Sequence, residues 1–318
     1  MVEPLDKPAN PAANPLDPVE MKDLEWSLRQ PRSLFSYAMS MMTGAATIAA
    51  LLPLFSVLYL LVRKGIAGLT FMAFTDLPPA AMSTGGGFGN ALIGTLVIVA
   101  IATFISVPVG IFAAIYITEF GPETQTAKAV RFAAKVLTGL PSILAGVFAF
   151  ATVVVVTGGF SAPAAGVALA LLMVPTILLT AEEAIKRVPS RMREAAVGMG
   201  ATRTQVVARV VVPTALPGMV TGVMLAVARA AGETAPLLFT ALFSDFWMSR
   251  TSPQFLPKTM GDLMKPTASL AVMIYNFSGS PFENQIAMAW SAALALVTIV
   301  LMTNIAGQAL AKRTSNSK

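Results

Sequence analysis

The sequence predicts an all-α membrane protein that crosses the bilayer several times. Hydrophobic residues make up 55% of the 318 positions and charged residues only 12%, whereas soluble domains are about one quarter charged. The mean hydropathy of the chain is +0.72. Six stretches are apolar over enough residues to cross the hydrocarbon core, which takes about 20 residues in a helix. We therefore expect six transmembrane helices, with a charged helical loop on the cytoplasmic side.

The N-terminal segment, residues 1–35, differs from the rest of the chain because it is polar and rich in proline. It contains no apolar core and no small-residue cleavage site, so it does not resemble a secretory signal peptide. Its composition predicts a disordered cytoplasmic tail, with Trp26 near the lipid headgroups. Residues 36–318 are then expected to form one membrane domain.

The predicted spans follow in order along this domain. They cover residues 37–62, 90–118, 132–156, 164–180, 217–243 and 286–311. A kink is expected in the third span because Pro141 cannot donate a backbone hydrogen bond. Between the fifth and sixth spans, residues 266–277 are apolar but too few to cross the membrane. These residues therefore form either a re-entrant segment or a lid.

The distribution of basic residues predicts the orientation of the spans. With the N-terminus in the cytoplasm, sixteen of the 22 lysines and arginines lie inside and five lie outside. Cytoplasmic loops are enriched in these residues, so both termini are predicted to be cytoplasmic. The net charge of +6 reflects this bias rather than a nucleic-acid surface, because no basic face is interleaved with aromatic residues.

The residue types that are missing exclude several kinds of chemistry. The chain contains no histidine and no cysteine, which removes the usual metal sites, histidine-based acid–base catalysis and disulfides. No glycine is followed by lysine, so the chain has no Walker A loop for ATP. We therefore predict no catalytic residues, no metal site and no cofactor.

Arg229 and Glu233 are the only charged residues between Arg209 and Asp245. Placing either charge near the bilayer centre costs about 2.5–3.5 kcal/mol, and a spacing of four residues puts both on one helix face. An arginine fork suits an oxyanion, and an acid beside it can hold the fork or compete with what binds there. The pair is therefore either a substrate contact or a salt bridge that only stabilises the helix bundle.

The residues around this pair weaken the helix that carries it. Pro236 cannot donate to the carbonyl of Gly232, and Gly232 itself loosens the helix. Broken spans with an ionisable group at mid-depth are common in transporters. Thr234 adds a hydroxyl group next to Glu233. The sequence thus predicts a substrate pathway of Arg229, Glu233 and Thr234 at a helix break.

The loop at residues 181–213 is predicted to contain two short helices joined by glycine. Residues 191–199 have a helical pattern, Gly200 suits a left-handed terminating position, and Thr202 suits a helix N-cap. Pro213 is expected to start the next span. On these features alone, the loop is either an interfacial linker or a rigid docking element for a partner protein.

The residue pattern of this loop resembles a known family. The pattern reads Glu194-Ala195-Ala196, three residues, Gly200, nine residues, Val210, one residue and Val212-Pro213. It is similar to the E-A-A-x3-G-x9-I-x-L-P motif of ABC importer permeases, with valine in place of isoleucine and leucine. Residues 226–238, AVARAAGETAPLL, closely resemble the PstA-type permeases of phosphate-specific ABC importers. The resemblance covers residues 36–312.

This resemblance implies a heteromeric importer in the bacterial plasma (inner) membrane, with inorganic phosphate as its substrate. Its other members would be a second, PstC-type permease, a dimer of PstB-type ATPase subunits that alone hydrolyse ATP, and an external PstS-type phosphate-binding protein. Arg229 would be the phosphate-pathway arginine and Glu233 its acidic partner. The residues that would couple the loop to the ATPase are Arg193, Glu194, Ala195, Ala196 and Gly200.

One position departs from the family pattern. Some relatives carry an arginine in the fourth span where this chain has Leu179, so the resemblance implies no second pathway arginine from this subunit. Two alternatives remain open from the residues. One is a permease for another oxyanion, such as sulfate or molybdate. The other is a non-conducting membrane assembly or sensor subunit that binds an ATPase.

Overall fold

A computed structural model describes residues 31–248, 257 and 259–316 of the chain, and these residues form helices and connections without β-strands. The predicted tail falls mostly outside the described residues, as does Trp26. The first helix begins at Pro31, within the last five residues of the predicted tail. The α-helices of four or more residues are, in order, α1 (Pro31–Gly65), α2 (Phe71–Thr75), α3 (Gly89–Ile115), α4 (Gln125–Gly139), α5 (Ser142–Ala149), α6 (Ala162–Lys186), α7 (Ser190–Gly198), α8 (Arg203–Val206), α9 (Val212–Ala231), α10 (Ala235–Leu238), α11 (Met260–Leu263), α12 (Leu270–Ser278) and α13 (Glu283–Asn316).

The chain divides into two compact units, residues 1–59 and 60–318. The described part of the first unit belongs to α1, a helix of 35 residues. This length corresponds to about 52 Å, which exceeds the hydrocarbon core of about 30 Å. Large apolar side chains such as Phe35 and Leu52 are exposed along it. The first predicted span is thus confirmed as a helix that extends beyond both predicted ends.

In the second unit, α6 lies at the centre of the helix bundle. It packs along α3 on one side and α9 on another, and alanines and other small residues occupy its buried positions. Two glycines permit the close approach of α3 and α6. A Cβ atom at Gly110 would lie 2.7 Å from Ile177, and one at Gly166 would lie 2.5 Å from Ile101. The α3–α6 contact is therefore closely packed at these two glycines.

The third predicted span, residues 132–156, is not a single kinked helix. Helices α4 and α5 meet at an angle of 106°, with Leu140 and Pro141 at the break. Pro141 disfavours a helical conformation in the residue before it, so the chain turns there. Only the second arm, which runs to Thr157, is continuously apolar. Among the described residues, five helices are long and apolar enough to span a membrane, or up to six spans if this bent pair counts as one.

The fourth and fifth spans also differ from their predicted boundaries. Helix α6 continues to Lys186 rather than ending at 180, so the loop begins later than predicted. The fifth span begins at Arg203, since α8 continues into α9 through a π-helical turn, Val207–Val211. Pro213 lies two positions after the end of this turn, which accommodates the hydrogen bond that proline cannot donate. Pro213 therefore lies inside the helix instead of starting it.

The apolar segment at residues 266–277 forms part of the packed bundle. Its helix, α12, packs against α13 and α3, and the backbone N–H of Leu270 donates to Oγ1 of Thr95 at 2.9 Å. The carbonyl of Ala268 passes so close to Gly94 that a side chain at this glycine would clash with it. A short apolar helix buried in this way is compatible with a re-entrant segment and excludes a free lid.

The segment that follows α10 is tied to the start of α3. Nδ2 of Asn90, a buried side chain, donates to the carbonyl of Ser244 at 2.9 Å. Burial raises the pKa of the neighbouring Asp245 carboxyl above its ordinary value. This contact fixes the end of the broken fifth span against the second span.

Candidate functional site

Helix α9 ends next to the charge pair that the sequence singles out. Gly232 is its C-terminal cap, and its backbone N–H donates to the carbonyl of Arg229 at 3.1 Å. Glu233 therefore lies beyond the end of the helix, within the span predicted at residues 217–243. The helix is interrupted near Gly232 and Pro236, where the sequence predicts a break, because Pro236 lies in the first turn of the separate helix α10. Proline fits there, where its missing N–H has no helical partner.

Arg229 and Glu233 nevertheless remain in contact. Nε of Arg229 lies 3.4 Å from Oε1 of Glu233, and the exposed fractions of the two side chains are 51% and 18%. Charge-assisted hydrogen bonds of this type are usually about 2.7–2.9 Å long. Within the described part of the chain, the two terminal nitrogens of this guanidinium have no hydrogen-bond partner. The arginine is thus held loosely by one edge, and the rest of its fork is free.

Thr234 and Pro236 shape the backbone around the pair. The carbonyl of Thr234 accepts hydrogen bonds from Leu237 and Leu238 and so starts α10. Pro236 is buried against α5, where a Cβ atom at Gly146 would lie 2.7 Å from it. The helices that follow the two proline breaks, α5 and α10, therefore pack against each other. The Arg229 site is adjacent to this contact through the backbone.

A groove of about 640 Å³ runs between α6 and α9. Its lining includes Arg187 and Thr214 near the loop and ends at Leu225, one helical turn before Arg229. Small residues line this groove. Gly218 on α9, for example, lies against Ala184 on α6. The groove therefore follows the side of α9 that leads to Arg229.

The loop below the bundle folds as predicted at its centre. Gly200 has a φ of +85°, and no atom lies within 4 Å of a Cβ built there, so this glycine is needed for its backbone conformation alone. Thr202 caps α8 and forms a capping box with Gln205. The prediction of a left-handed glycine followed by a threonine cap is confirmed. The second helix, however, is the start of the fifth span rather than a separate short helix.

The residues predicted to couple to an ATPase lie on different sides of α7. Glu194 and Ala195 are exposed, whereas Ala196 is buried. Met199 follows the helix and is 83% exposed. The exposed residues present a surface for a partner, and Ala196 packs the helix against the bundle.

The side chain of Arg193 forms its contacts with other parts of the same chain. Its Nη1 donates to the carbonyl of Val188 at 2.9 Å, and its Nη2 donates to the carbonyl of Ile185 at 2.9 Å. Nη2 also lies 2.8 Å from Oε1 of Glu119, at the end of the second span. Sequence reasoning did not identify Glu119, although an acid directly after an apolar span is a visible signal.

A second ion-pair cluster at the same end of the bundle also escaped the sequence argument. Glu182 is buried, and its Oε1 lies 2.6 Å from Nε of Arg131 and 2.8 Å from Nζ of Lys186. The pair joins α4 to α6 across 51 positions. The spacing from Lys186 is visible in the sequence as an i, i+4 pair, but the contact with Arg131 depends on the fold.

Comparison with known proteins decides the family. Residues 106–316 match the family described as "Binding-protein-dependent transport system inner membrane component". The phosphate transport system permease protein PstA of Yersinia pestis is 36% identical over 287 residues, which cover 90% of this chain and 92% of that protein. The chain belongs to the PstA permease family.

Other PstA relatives extend this similarity to distant organisms. The PstA protein of Haemophilus influenzae is 38% identical over 268 residues, covering 83% of this chain and 90% of that protein. The probable PstA protein of Methanocaldococcus jannaschii is 36% identical over 265 residues, covering 81% and 87%. The PstA-family chain is thus an inner membrane component of a transport system.

Solved structures with a similar fold are also transporter chains. A chain of a bacterial alginate ABC transporter, in complex with an alginate-bound periplasmic protein, superposes with a TM-score of 0.59 at 14% identity, covering 90% of this chain and 98% of that one. A chain of the MetNI methionine ABC transporter, in an inward-facing conformation, gives a TM-score of 0.54 at 22% identity, covering 71% and 93%. These likenesses concern the fold and confirm the predicted all-α ABC permease class.

Proposed function

We propose that this PstA-family chain is the membrane permease subunit of an ATP-driven phosphate importer. The names of its relatives support phosphate as the substrate. The structural observation that carries the proposal is the guanidinium of Arg229, whose two terminal nitrogens have no partner among the described residues. A free, planar fork is the group best suited to bind a tetrahedral oxyanion through paired charge-assisted hydrogen bonds.

Glu233 makes the binding reversible. Its carboxylate lies 3.4 Å from Nε of Arg229 and partly neutralises the cation. An incoming phosphate competes for the same guanidinium, and the nearby negative charge weakens its binding. A transport site must release its substrate, so weak binding at this point favours turnover. Glu233 lies beyond the helix end, and its backbone N–H donates to the carbonyl of Ala230 at 3.2 Å, so a shift of its backbone breaks this terminal hydrogen bond and leaves the helix before it intact.

The groove between α6 and α9 supplies a route from Arg229 toward the cytoplasmic loop. It has Thr180, Thr214 and Thr221 along its walls, and small residues at the helix contact. Its open side is then closed by a second, PstC-type permease, which completes the pathway. An external PstS-type protein delivers phosphate on the opposite side of the membrane. The N- and C-termini are cytoplasmic in this arrangement, in agreement with the excess of basic residues on that side.

The energy comes from partner subunits, because the sequence carries no Walker A loop. The exposed surface of α7 docks on a dimer of PstB-type ATPase subunits. This surface includes Glu194 and Ala195 of the helix and Met199 directly after it. Closure of that dimer on ATP displaces α7 and α8. Since α8 continues into α9, the displacement reaches the helix that carries Arg229.

The deciding experiment measures uptake by the purified four-component system in vesicles. The parent complex should accumulate radiolabelled inorganic phosphate when ATP and the external binding protein are supplied. Arg229→Lys keeps the charge but loses the fork, and we expect uptake to fall about tenfold or more while the assembled complex stays intact. Arg63→Lys is the matched control, because Arg63 is exposed and lies at the end of α1. It should transport at the parent rate.

Three outcomes would reject parts of this proposal. Uptake of sulfate or molybdate in preference to phosphate would overturn the substrate. ATP hydrolysis without accumulation of any of these anions would favour a non-conducting sensor or assembly subunit. Parent-level uptake by Arg229→Lys would overturn the role of the arginine fork.

A further inference from the structure

The cytoplasmic end of the second span is a π-helical turn, Tyr116–Phe120, that directly continues α3. The last carbonyls of any helix lack partners within the helix, and they need donors from elsewhere. Here the donors are arginines from other elements. Nη2 of Arg131 donates to the carbonyl of Ile117 at 2.7 Å, and Nη2 of Arg203 donates to the carbonyl of Glu119. The turn is thus completed by side chains from α4 and α8.

The side chain of Glu119 adds a third connection to this turn. Its carboxylate lies 2.8 Å from Nη2 of Arg193 on α7, and the exposed fractions of the two side chains are only 12% and 27%. Arg193 is fixed in turn by two carbonyls at the end of α6. The contact therefore joins residues that are 74 positions apart, and its geometry is that of a strong charge-assisted hydrogen bond.

These contacts attach both helices of the loop to one point on the second span. Arg193 belongs to α7 and Arg203 to α8, and both contact Glu119. The guanidinium of Arg203 also lies 5.8 Å from the ring of Phe120. Any displacement of the loop must either break these bonds or move the end of α3 with it. Because α3 packs along α6 through the core, a movement that is transmitted here reaches the whole bundle.

We propose that Glu119 and Arg193 are a positioning pair that couples displacement of α7 to movement of the second span; the idea rests on the proposed role of α7 as the ATPase-docking helix. Neither residue contacts the substrate. Arg193 lies beside the exposed Glu194 on α7, so a force on the docking surface acts directly on the pair. Without the pair, α7 can shift under the ATPase while α3 stays in place.

The test uses the complete importer in vesicles and two ratios that do not depend on the amount of complex. The first is inorganic phosphate accumulated per ATP hydrolysed. The second is the stimulation of ATP hydrolysis by the phosphate-loaded external binding protein. Glu119→Gln keeps the size of the side chain and one acceptor oxygen but removes the charge. We expect both ratios to fall about tenfold, with ATP hydrolysis itself retained.

The matched control is Glu123→Gln, in the same connection, where the side chain is exposed. It should leave both ratios at the parent values. A charge exchange gives the second test: Glu119→Arg and Arg193→Glu should each lower the stimulation ratio, and their combination should raise it above either single variant. Such a rescue is not expected if each residue has only a separate local role.

The proposed coupling role of the pair would be rejected if Glu119→Gln kept the parent ratios. It would also be rejected if uptake and hydrolysis fell together, in proportion to the amount of assembled complex. Failure of the proposed function gives a different result. In that case the parent complex itself accumulates no phosphate, whereas a failure of the pair alone leaves accumulation by the parent complex intact.

Discussion

Two arginine–glutamate pairs in this permease have opposite designs. Arg229 and Glu233 are four positions apart and contact each other at 3.4 Å, with the arginine half exposed. Arg193 and Glu119 come from distant parts of the chain, contact each other at 2.8 Å and are largely shielded. The second arginine also donates to two carbonyls, whereas the terminal nitrogens of the first have no hydrogen-bond partner among the residues that the structure describes. The difference fits the two proposed roles, because the proposed substrate contact is held loosely and the proposed coupling pair is held from several sides.

The largest expected difference between the two pairs concerns the thermal stability of the assembled complex. Arg193→Ala removes three donated hydrogen bonds and leaves the carboxylate of Glu119 without its cation, a loss of about 2–3 kcal/mol for a partly shielded pair. We expect the thermal midpoint of the purified complex to fall by about 5 °C or more. Arg229→Ala should leave this midpoint within about 1 °C, since exposed pairs contribute little. Equal shifts for the two variants would contradict the comparison.

A smaller effect is expected in the kinetics of the loose pair. Glu233→Gln removes the negative charge that competes with phosphate for Arg229. Phosphate should then bind more tightly and leave more slowly, so that KM for transport and kcat both fall by about three- to tenfold. Initial rates of phosphate uptake across a range of concentrations of the phosphate-loaded external binding protein would separate the two constants. A raised KM with unchanged kcat would show that the carboxylate only supports binding.

The last expected effect concerns the stability of the turn that positions the tight pair. Gly200 lies between α7 and α8 with a φ of +85°, in open space. Gly200→Ala should therefore cost about 1–2 kcal/mol through backbone conformation alone. Gly198 also has open space around a built Cβ but lies at the end of α7. Gly198→Ala is the control and should be neutral or slightly stabilising in the same thermal assay. A loss of stability for Gly198→Ala that matches that for Gly200→Ala would remove the backbone explanation.

The positions of the helices could largely be predicted from the sequence, but their ends and angles could not. Apolar runs of about 20 residues identify spans because the bilayer imposes that length. Pro141 and Pro236 correctly mark breaks, since neither can donate a helical hydrogen bond. The angle of 106° between α4 and α5 depends on what each arm packs against. The extension of α6 to Lys186 likewise reflects the burial of Glu182 beside Arg131.

The candidate site shows the same limit. Arg229 and Glu233 could be paired from the sequence because a spacing of four positions brings side chains together locally. The contact of Arg193 with Glu119 could not, because only the fold brings together residues from α7 and the end of the second span. For the same reason, the sequence assigned Arg193 to the docking surface. The structure directs it inward and leaves Glu194 and Ala195 outside.

The helix from Arg203 to Ala231 is continuous, so a tilt at one end displaces the other end. Arg203 and Arg229 are 26 positions apart in this helix, a distance of about 39 Å along its axis. A tilt of about 5° about the end near Arg203 would displace the end near Arg229 by about 3 Å. This displacement is close to the donor–acceptor distance of one hydrogen bond. Arg203 is also the point where the helix is fastened to the second span. A rotation too small to disturb the packing near the loop is thus large enough to make or break a contact between Arg229 and an anion.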